Sequence, residues 1–202
     1  MNKKERINLI RELESELAYG RFIHTLNVAS TAANLAMCYD FDIDKAETAG
    51  LLHDCAKCIP NKKKIKLCEQ RHVEITEFEK EHPFLIHAKL GAYIAEKKYG
   101  VTDPEILSSI TYHTTGRPGM SVLEKIIYIA DYIEPMRDKA PNLPRIRRLA
   151  FQDLDECMYE ILRDTLEYLD ENPKDVDDTT RQAYVYYKEL HLNRKEGTSI
   201  GK

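Results

Sequence analysis

The chain has 202 residues, 43% of them hydrophobic and 32% charged, enough apolar material for one large domain and too much for a disordered or fibrous class. Its net charge of -4 argues against a general nucleic-acid binder, and no apolar run approaches the ~20 residues that span a bilayer. Five scattered cysteines and a charged N-terminal stretch with no apolar segment behind it point to reduced thiols and a cytoplasmic protein.

Almost every segment reads as helix. From Lys4 to Leu17 the apolar positions Ile7, Leu9, Ile10, Leu13 and Leu17 recur at three- and four-residue spacing. Tyr19-Gly20 breaks that helix. A second follows from Arg21 to Tyr39, with Phe22, Leu26, Ala29, Ala33 and Ala36 on one face. A third, Ile43 to Leu52, starts after Asp42 or Asp44 as N-cap and delivers the pair His53-Asp54 before Ile59-Pro60 stops it. Asn61 caps a basic helix whose Lys62, Lys63, Lys64 and Lys66 read as a solvated face. Pro83 allows a helix from Phe84 to Tyr99 that ends at Gly100, and Asp103-Pro104 opens another that ends near His113. Thr114 to Gly119 is a turn-rich loop. Ser121 with Glu124 matches a capping box and starts the apolar helix Val122 to Ile133, with Asp131 in its middle. Pro135, Pro141 and Pro144 punctuate a basic loop, and helices from Leu154 to Leu169 and from Asp178 to Leu192 follow. With no repeat and no alternating strand, the expectation is a single all-α domain over residues 1–193 and a disordered tail over 194–202.

The pair His53-Asp54 ends an apolar run. An isolated His-Asp pair is more often a helix cap than a ligand pair, but a carboxylate leaving a buried helix needs a compensating charge. Asp131 raises the same demand, because it lies between Ile126-Ile127-Tyr128-Ile129-Ala130 and Tyr132-Ile133 and reads as buried. His24, His87 and His113 sit near helix ends or on apolar faces. Together these six residues offer four imidazoles and two carboxylates, enough for two metal ions bridged by Asp54. His72, His82 and His191 lie among charges and read as surface; His82 is a spare for His87. The Cys55-Ala56-Lys57-Cys58 spacing lacks a second pair, which leaves those thiols as bystanders.

The ordered set His24, His53-Asp54, His87, His113, Asp131 resembles the HD-domain metal-dependent phosphohydrolases. Arg21-Phe22-x-His24-Thr25, Leu52-His53-Asp54-x-Ala56-Lys57, Tyr112-His113-Thr114-Thr115-Gly116 and Ile129-Ala130-Asp131-Tyr132-Ile133-Glu134-Pro135-x-Arg137 are similar to the YqeK family of symmetrical bis(5′-nucleosyl)-tetraphosphatases. The resemblance runs from about residue 5 to 190. It implies an all-helical HD-domain bundle, a homodimer and an iron-type centre of one or two ions; manganese, cobalt or zinc suit the same ligands. The implied reaction splits diadenosine tetraphosphate, or a related dinucleoside polyphosphate, into two ADP. On that reading His24, His53, Asp54, His87, His113 and Asp131 hold metal, while Asp54 and Lys57 serve catalysis. Arg21, Lys57, Thr114, Thr115, the Gly116 amide, Arg117 and Arg137 contact the polyphosphate. Another HD-type nucleotide hydrolysis and a non-catalytic nucleotide-binding regulator are the alternatives.

Overall fold

In the computed structural model the described residues are 3–140, 142–169 and 176–199. Among them the chain forms eleven helices and no strand: α1 (Lys3–Glu16), α2 (Tyr19–Cys38), α3 (Ile43–Leu52), α4 (Asn61–Arg71), α5 (Glu77–Glu81), α6 (His87–Lys97), α7 (Pro104–Tyr112), α8 (Val122–Ile133), α9 (Leu143–Ala150), α10 (Leu154–Leu169) and α11 (Asp178–Ser199). The all-α expectation holds.

The centre of the bundle is α8. Leu123, Ile126, Ile127, Ile129 and Ala130 are fully buried, and the helix packs against α2, α3, α7, α9 and α10. Its start is fixed locally: the Ser121 hydroxyl accepts from the Glu124 amide while the Glu124 carboxylate accepts from the Ser121 amide. Val28, Ala29, Ala32, Leu35 and Ala36 of α2 are buried as well, and small residues there let α3 come very close. A Cβ on Gly50 would stand 2.7 Å from Ala29 Cα, so only glycine fits where the two helices cross. The Asp42 side chain caps α3 by accepting from the Lys45 amide at 3.0 Å, and the last turn of α3 ends at the His53-Asp54 pair.

Several boundaries depart from the sequence reading. Tyr19-Gly20 does not break a helix but forms the first turn of α2, because Ala18 takes the extended conformation that ends the preceding helix. Pro60, not Asn61, occupies the N-cap position of α4; the Asn61 side-chain oxygen accepts from the Lys64 ammonium at 3.1 Å. Lys64 is therefore buried rather than part of a solvated face. The segment Thr76-Glu77-Phe78-Glu79 makes a full capping box and starts the short α5, which the sequence reading passed over. Helix α6 begins at His87 and not at Phe84. Pro144 lies in the first turn of α9, where a missing N–H costs nothing, and Pro141 lies outside the described residues. Helix α11 continues past Leu192 to Ser199, through residues expected to form a tail; 200–202 lie outside the described residues.

Candidate metal centre

Five helices deliver the six proposed ligands to one place. His24 comes from the first turns of α2, the His53-Asp54 pair from the end of α3, His87 from the start of α6, His113 from the end of α7 and Asp131 from α8. Asp54 is the hub, 2% exposed. His87 Nε2 lies 3.1 Å and His113 Nε2 3.6 Å from its Oδ1. His53 Nε2 and His24 Nε2 lie 3.5 and 3.8 Å from its Oδ2. His24 Nε2 is also 3.0 Å from Asp131 Oδ1. Two overlapping groups, His24 with His53 and Asp131, and His53 with Asp54 and His113, each bring their ligand atoms within 4.8 Å of one another.

The hydrogen bonds on the far side of each ring decide what faces inward. His53, His87 and His113 point Nδ1 at the carbonyls of Gly50, Phe84 and Ile110, three residues back, at 2.7, 2.5 and 2.7 Å. A carbonyl only accepts, so Nδ1 carries the hydrogen and Nε2 of the neutral ring presents a bare lone pair. His24 does the same against the Glu134 carboxylate, Nδ1 to Oε1 at 3.2 Å. Four lone pairs thus converge on carboxylate oxygens, which repel them unless a cation stands between. His87 and His113 place their Nε2 atoms 3.1 Å apart. Four buried side-chain nitrogen or oxygen atoms among the described residues lack a hydrogen-bond partner; they are His24 Nε2, His53 Nε2, Asp54 Oδ1 and the neighbouring Thr25 Oγ1. Buried polar atoms are ordinarily satisfied. Bare nitrogen and oxygen donors in this number, with the opposite ring nitrogens anchored, fit a divalent metal.

The electrostatics agree. Burial pushes the His87 imidazole down to about 4, against the pull of Asp54, so it is neutral and able to ligate near pH 7. Burial also acts to raise Asp54, but the surrounding histidines, His53 first and then His113 and His87, hold its carboxyl well below the usual range. Asp131 is held far below that range too; burial opposes this, and His24, His53 and Arg137 outweigh it. Asp131 is less enclosed than its sequence neighbours imply, with 20% of its side chain exposed, because it faces a cleft of about 610 Å³. Arg21 donates to Asp54 Oδ2 at 2.6 Å and Arg137 to Asp131 Oδ1 at 2.7 Å. Lys57 Nζ reaches 3.1 Å from His87 Nε2 and 3.9 Å from Asp54 Oδ1; burial lowers its pKa, against the attraction of Asp54.

Arg21, Lys57, Thr114 and Arg137 all line this cleft, with Lys139, a basic loop residue also apt for phosphate, and with Phe84, Tyr132 and Met136, to which the sequence assigns no role. The rest of the expected phosphate contacts are placed elsewhere. Arg117 clasps the buried Glu124 with two bonds, Nε to Oε1 at 2.9 Å and NH2 to Oε2 at 2.7 Å, and lies over the Tyr112 ring. The Gly116 amide is committed to the Tyr112 carbonyl at 2.9 Å and the Thr115 hydroxyl to the Gly116 carbonyl. Neither Thr115, Gly116 nor Arg117 lines the cleft; they brace the turn that leads into α8. The exposed Cys58 and the buried Cys55, whose thiol burial pushes up to about 12, take no part in the cluster. Nor does His191, which is not a free surface residue but pairs with Glu156 at 2.7 Å. His82 stacks on Phe78, leaving His87 as the ring in the cluster.

Comparison with known proteins agrees with this geometry. Residues 21–136 match the HD domain family, a segment that contains all six clustered residues. The chain is 40% identical over 169 residues to the symmetrical bis(5′-nucleosyl)-tetraphosphatase of Bacillus subtilis (strain 168), spanning 84% of this chain and 88% of that one. It is 38% identical over 181 residues to the enzyme of the same name from Staphylococcus aureus (strain NCTC 8325 / PS 47), spanning 88% and 91%. A crystal structure from Clostridium acetobutylicum, described as a predicted HD superfamily hydrolase involved in NAD metabolism, superposes with a TM-score of 0.87 at 36% identity, over 92% of this chain and 97% of that one. The shared segment, the buried His-Asp cluster and the helical bundle that assembles it agree, and the chain belongs to the HD domain family.

Proposed function

We propose that the protein is a metal-dependent symmetrical bis(5′-nucleosyl)-tetraphosphatase that hydrolyses diadenosine tetraphosphate and related dinucleoside polyphosphates to two nucleoside diphosphates. The observation that carries this reading is the set of inward-facing bare atoms, His24 Nε2, His53 Nε2 and Asp54 Oδ1, beside a cleft that also presents Arg21, Lys57, Arg137 and Lys139. The names of the Bacillus and Staphylococcus relatives supply the substrate.

His24, His53, Asp131 and Asp54 would hold one ion, and Asp54, His87 and His113 a second. When bound, a divalent metal supplies Lewis acidity toward phosphoryl oxygens and a lowered pKa for coordinated water. The chain supplies the rest. Arg21, Lys57, Arg137 and Lys139 bind and orient the polyphosphate, guanidinium groups taking two oxygens at once and ammonium groups acting as point charges. Lys57, already beside His87 and Asp54, is placed to stabilise charge that develops on a phosphoryl oxygen. The Thr114 hydroxyl, on the cleft wall next to His113, is a donor for the same chain of phosphates. Water adds its oxygen to one inner phosphorus, the bridging oxygen leaves with the other, and two diphosphates result. Iron as the metal and a homodimeric assembly are taken from the family resemblance; the donor set alone suits iron, manganese, cobalt and zinc. Five free cysteines suit a reducing compartment, the ground for placing the enzyme in the cytoplasm. The net negative charge argues against a general nucleic-acid binder.

The test is anaerobic incubation of the purified protein with diadenosine tetraphosphate and iron(II) or manganese(II), with products separated by chromatography. ADP as the sole nucleotide product is expected. ATP plus AMP would place the attack at an outer phosphorus and overturn the symmetrical reading.

A further inference from the structure

We infer that Glu134 is a positioning residue that sets His24 as a metal ligand and ties it to the loop at the mouth of the cleft. The inference rests on the metal reading of the His-Asp cluster, not on the identity of the substrate.

His24 differs from the other three imidazoles. Their outer nitrogens bond to neutral carbonyls within their own turn, an arrangement each helix end makes by itself. His24 lies inside α2, where no such turn is available, and its Nδ1 bonds instead to a carboxylate 110 residues away. A charged acceptor fixes the tautomer and makes the ring a stronger donor toward a metal than a carbonyl does. Glu134 is 2% exposed, so this bond is shielded from water.

The other carboxylate oxygen is spent on position. Glu134 Oε2 accepts from Asn27 Nδ2 at 3.1 Å, one turn beyond His24, and from the Met136 amide at 2.8 Å. The Glu134 carbonyl accepts from Arg147, which also holds the carbonyls of Ile133 and Arg137. One side chain therefore grips α2 at His24 and again one turn on, at Asn27, and holds the start of the loop that brings Arg137 to Asp131. Displacing it loosens the ligand and the phosphate-facing arginine together.

In Glu134→Gln a single side-chain oxygen faces three donors, those of His24, Asn27 and Met136, so at least one meets an NH2 group. Manganese(II) titration of the chelator-stripped protein should show about a 10- to 100-fold weaker dissociation constant in this variant. KM for the dinucleotide should rise as well, through the loosened Arg137 loop. Asn27→Ala, which removes a neighbour but leaves the His24 bond, should bind manganese within about twofold of wild type. A reading that needs no variant is the histidine ¹⁵N spectrum of the wild-type, metal-stripped protein, where His24 should carry its hydrogen on Nδ1. Equal manganese affinity in wild type and Glu134→Gln, or His24 protonated only on Nε2, would overturn the inference while leaving the centre intact. A wild-type protein that binds no metal would overturn both.

Discussion

Asp54 and Glu124 are both buried carboxylates, 2% and 1% exposed, and they are used in opposite ways. Glu124 spends every oxygen on a donor: Ser108 and Arg117 Nε on Oε1, Arg117 NH2 and the Ser121 amide on Oε2. Its charge is balanced in place and it anchors the start of α8. Asp54 keeps Oδ1 without a hydrogen bond while imidazole lone pairs crowd around it. A carboxylate that builds structure is saturated by the chain; one that awaits a cation is left open on one side, and its neighbours are turned to match. Sequence neighbourhood does not separate the two, since each lies at a helix end beside apolar residues.

The contrast is sharpest in variants that remove one carboxylate or its partner. Asp54→Asn should lose metal binding and reduce turnover by about three orders of magnitude or more, read by metal analysis and ADP release; turnover near wild type would break the comparison. Removal of Arg117 should act on the other region alone. Arg117→Ala leaves Glu124 with two donors in a buried setting, which should cost about 2 kcal/mol in urea unfolding, a discount being made for the part-exposed arginine. The folded fraction should keep its manganese affinity and KM, and a large rise in KM would return Arg117 to the substrate.

A pH titration of the metal-stripped protein separates the regions again. His87 titrates near 4 when folded and near 6.5 when unfolded. Between those values the unfolded chain binds the extra proton, so stability rises with pH there. The contribution is complete above about pH 6.5 and is lost as pH falls, reaching about 3 kcal/mol at pH 4. His87→Gln should flatten this part of the curve, and Arg117→Ala should leave its slope unchanged. A wild-type stability that holds level from pH 6.5 to 4 would show the cluster to be more open than its burial indicates.

Much of the fold was legible because helix signals are local. The Ser121-Glu124 box, Asp42 and Asp103 as caps, and Gly100 at positive φ each act within one turn. The Thr76-Glu79 box was equally present and passed over. Two departures are just as local: Ala18 rather than Tyr19-Gly20 separates α1 from α2, and Asn61, three residues back, turns Lys64 inward. The six proposed ligands could be picked out as buried polar residues of the right chemical type. Arg117 looks equally apt for phosphate in the sequence, but Glu124 accepts from two of its guanidinium nitrogens, Nε and NH2.

Periodicity and composition alone establish a helical bundle in which four histidines and two aspartates are the chemically costly positions. Periodicity and caps depend only on near neighbours, and a charge within an apolar run is visible wherever the run packs. It takes the assembled bundle to show that those six converge, that Glu134 backs His24, and that Thr115, Gly116 and Arg117 bond within the frame rather than line the cleft. A polar atom's role depends on what fills its other valences, and in a bundle those partners come from helices far apart in the chain.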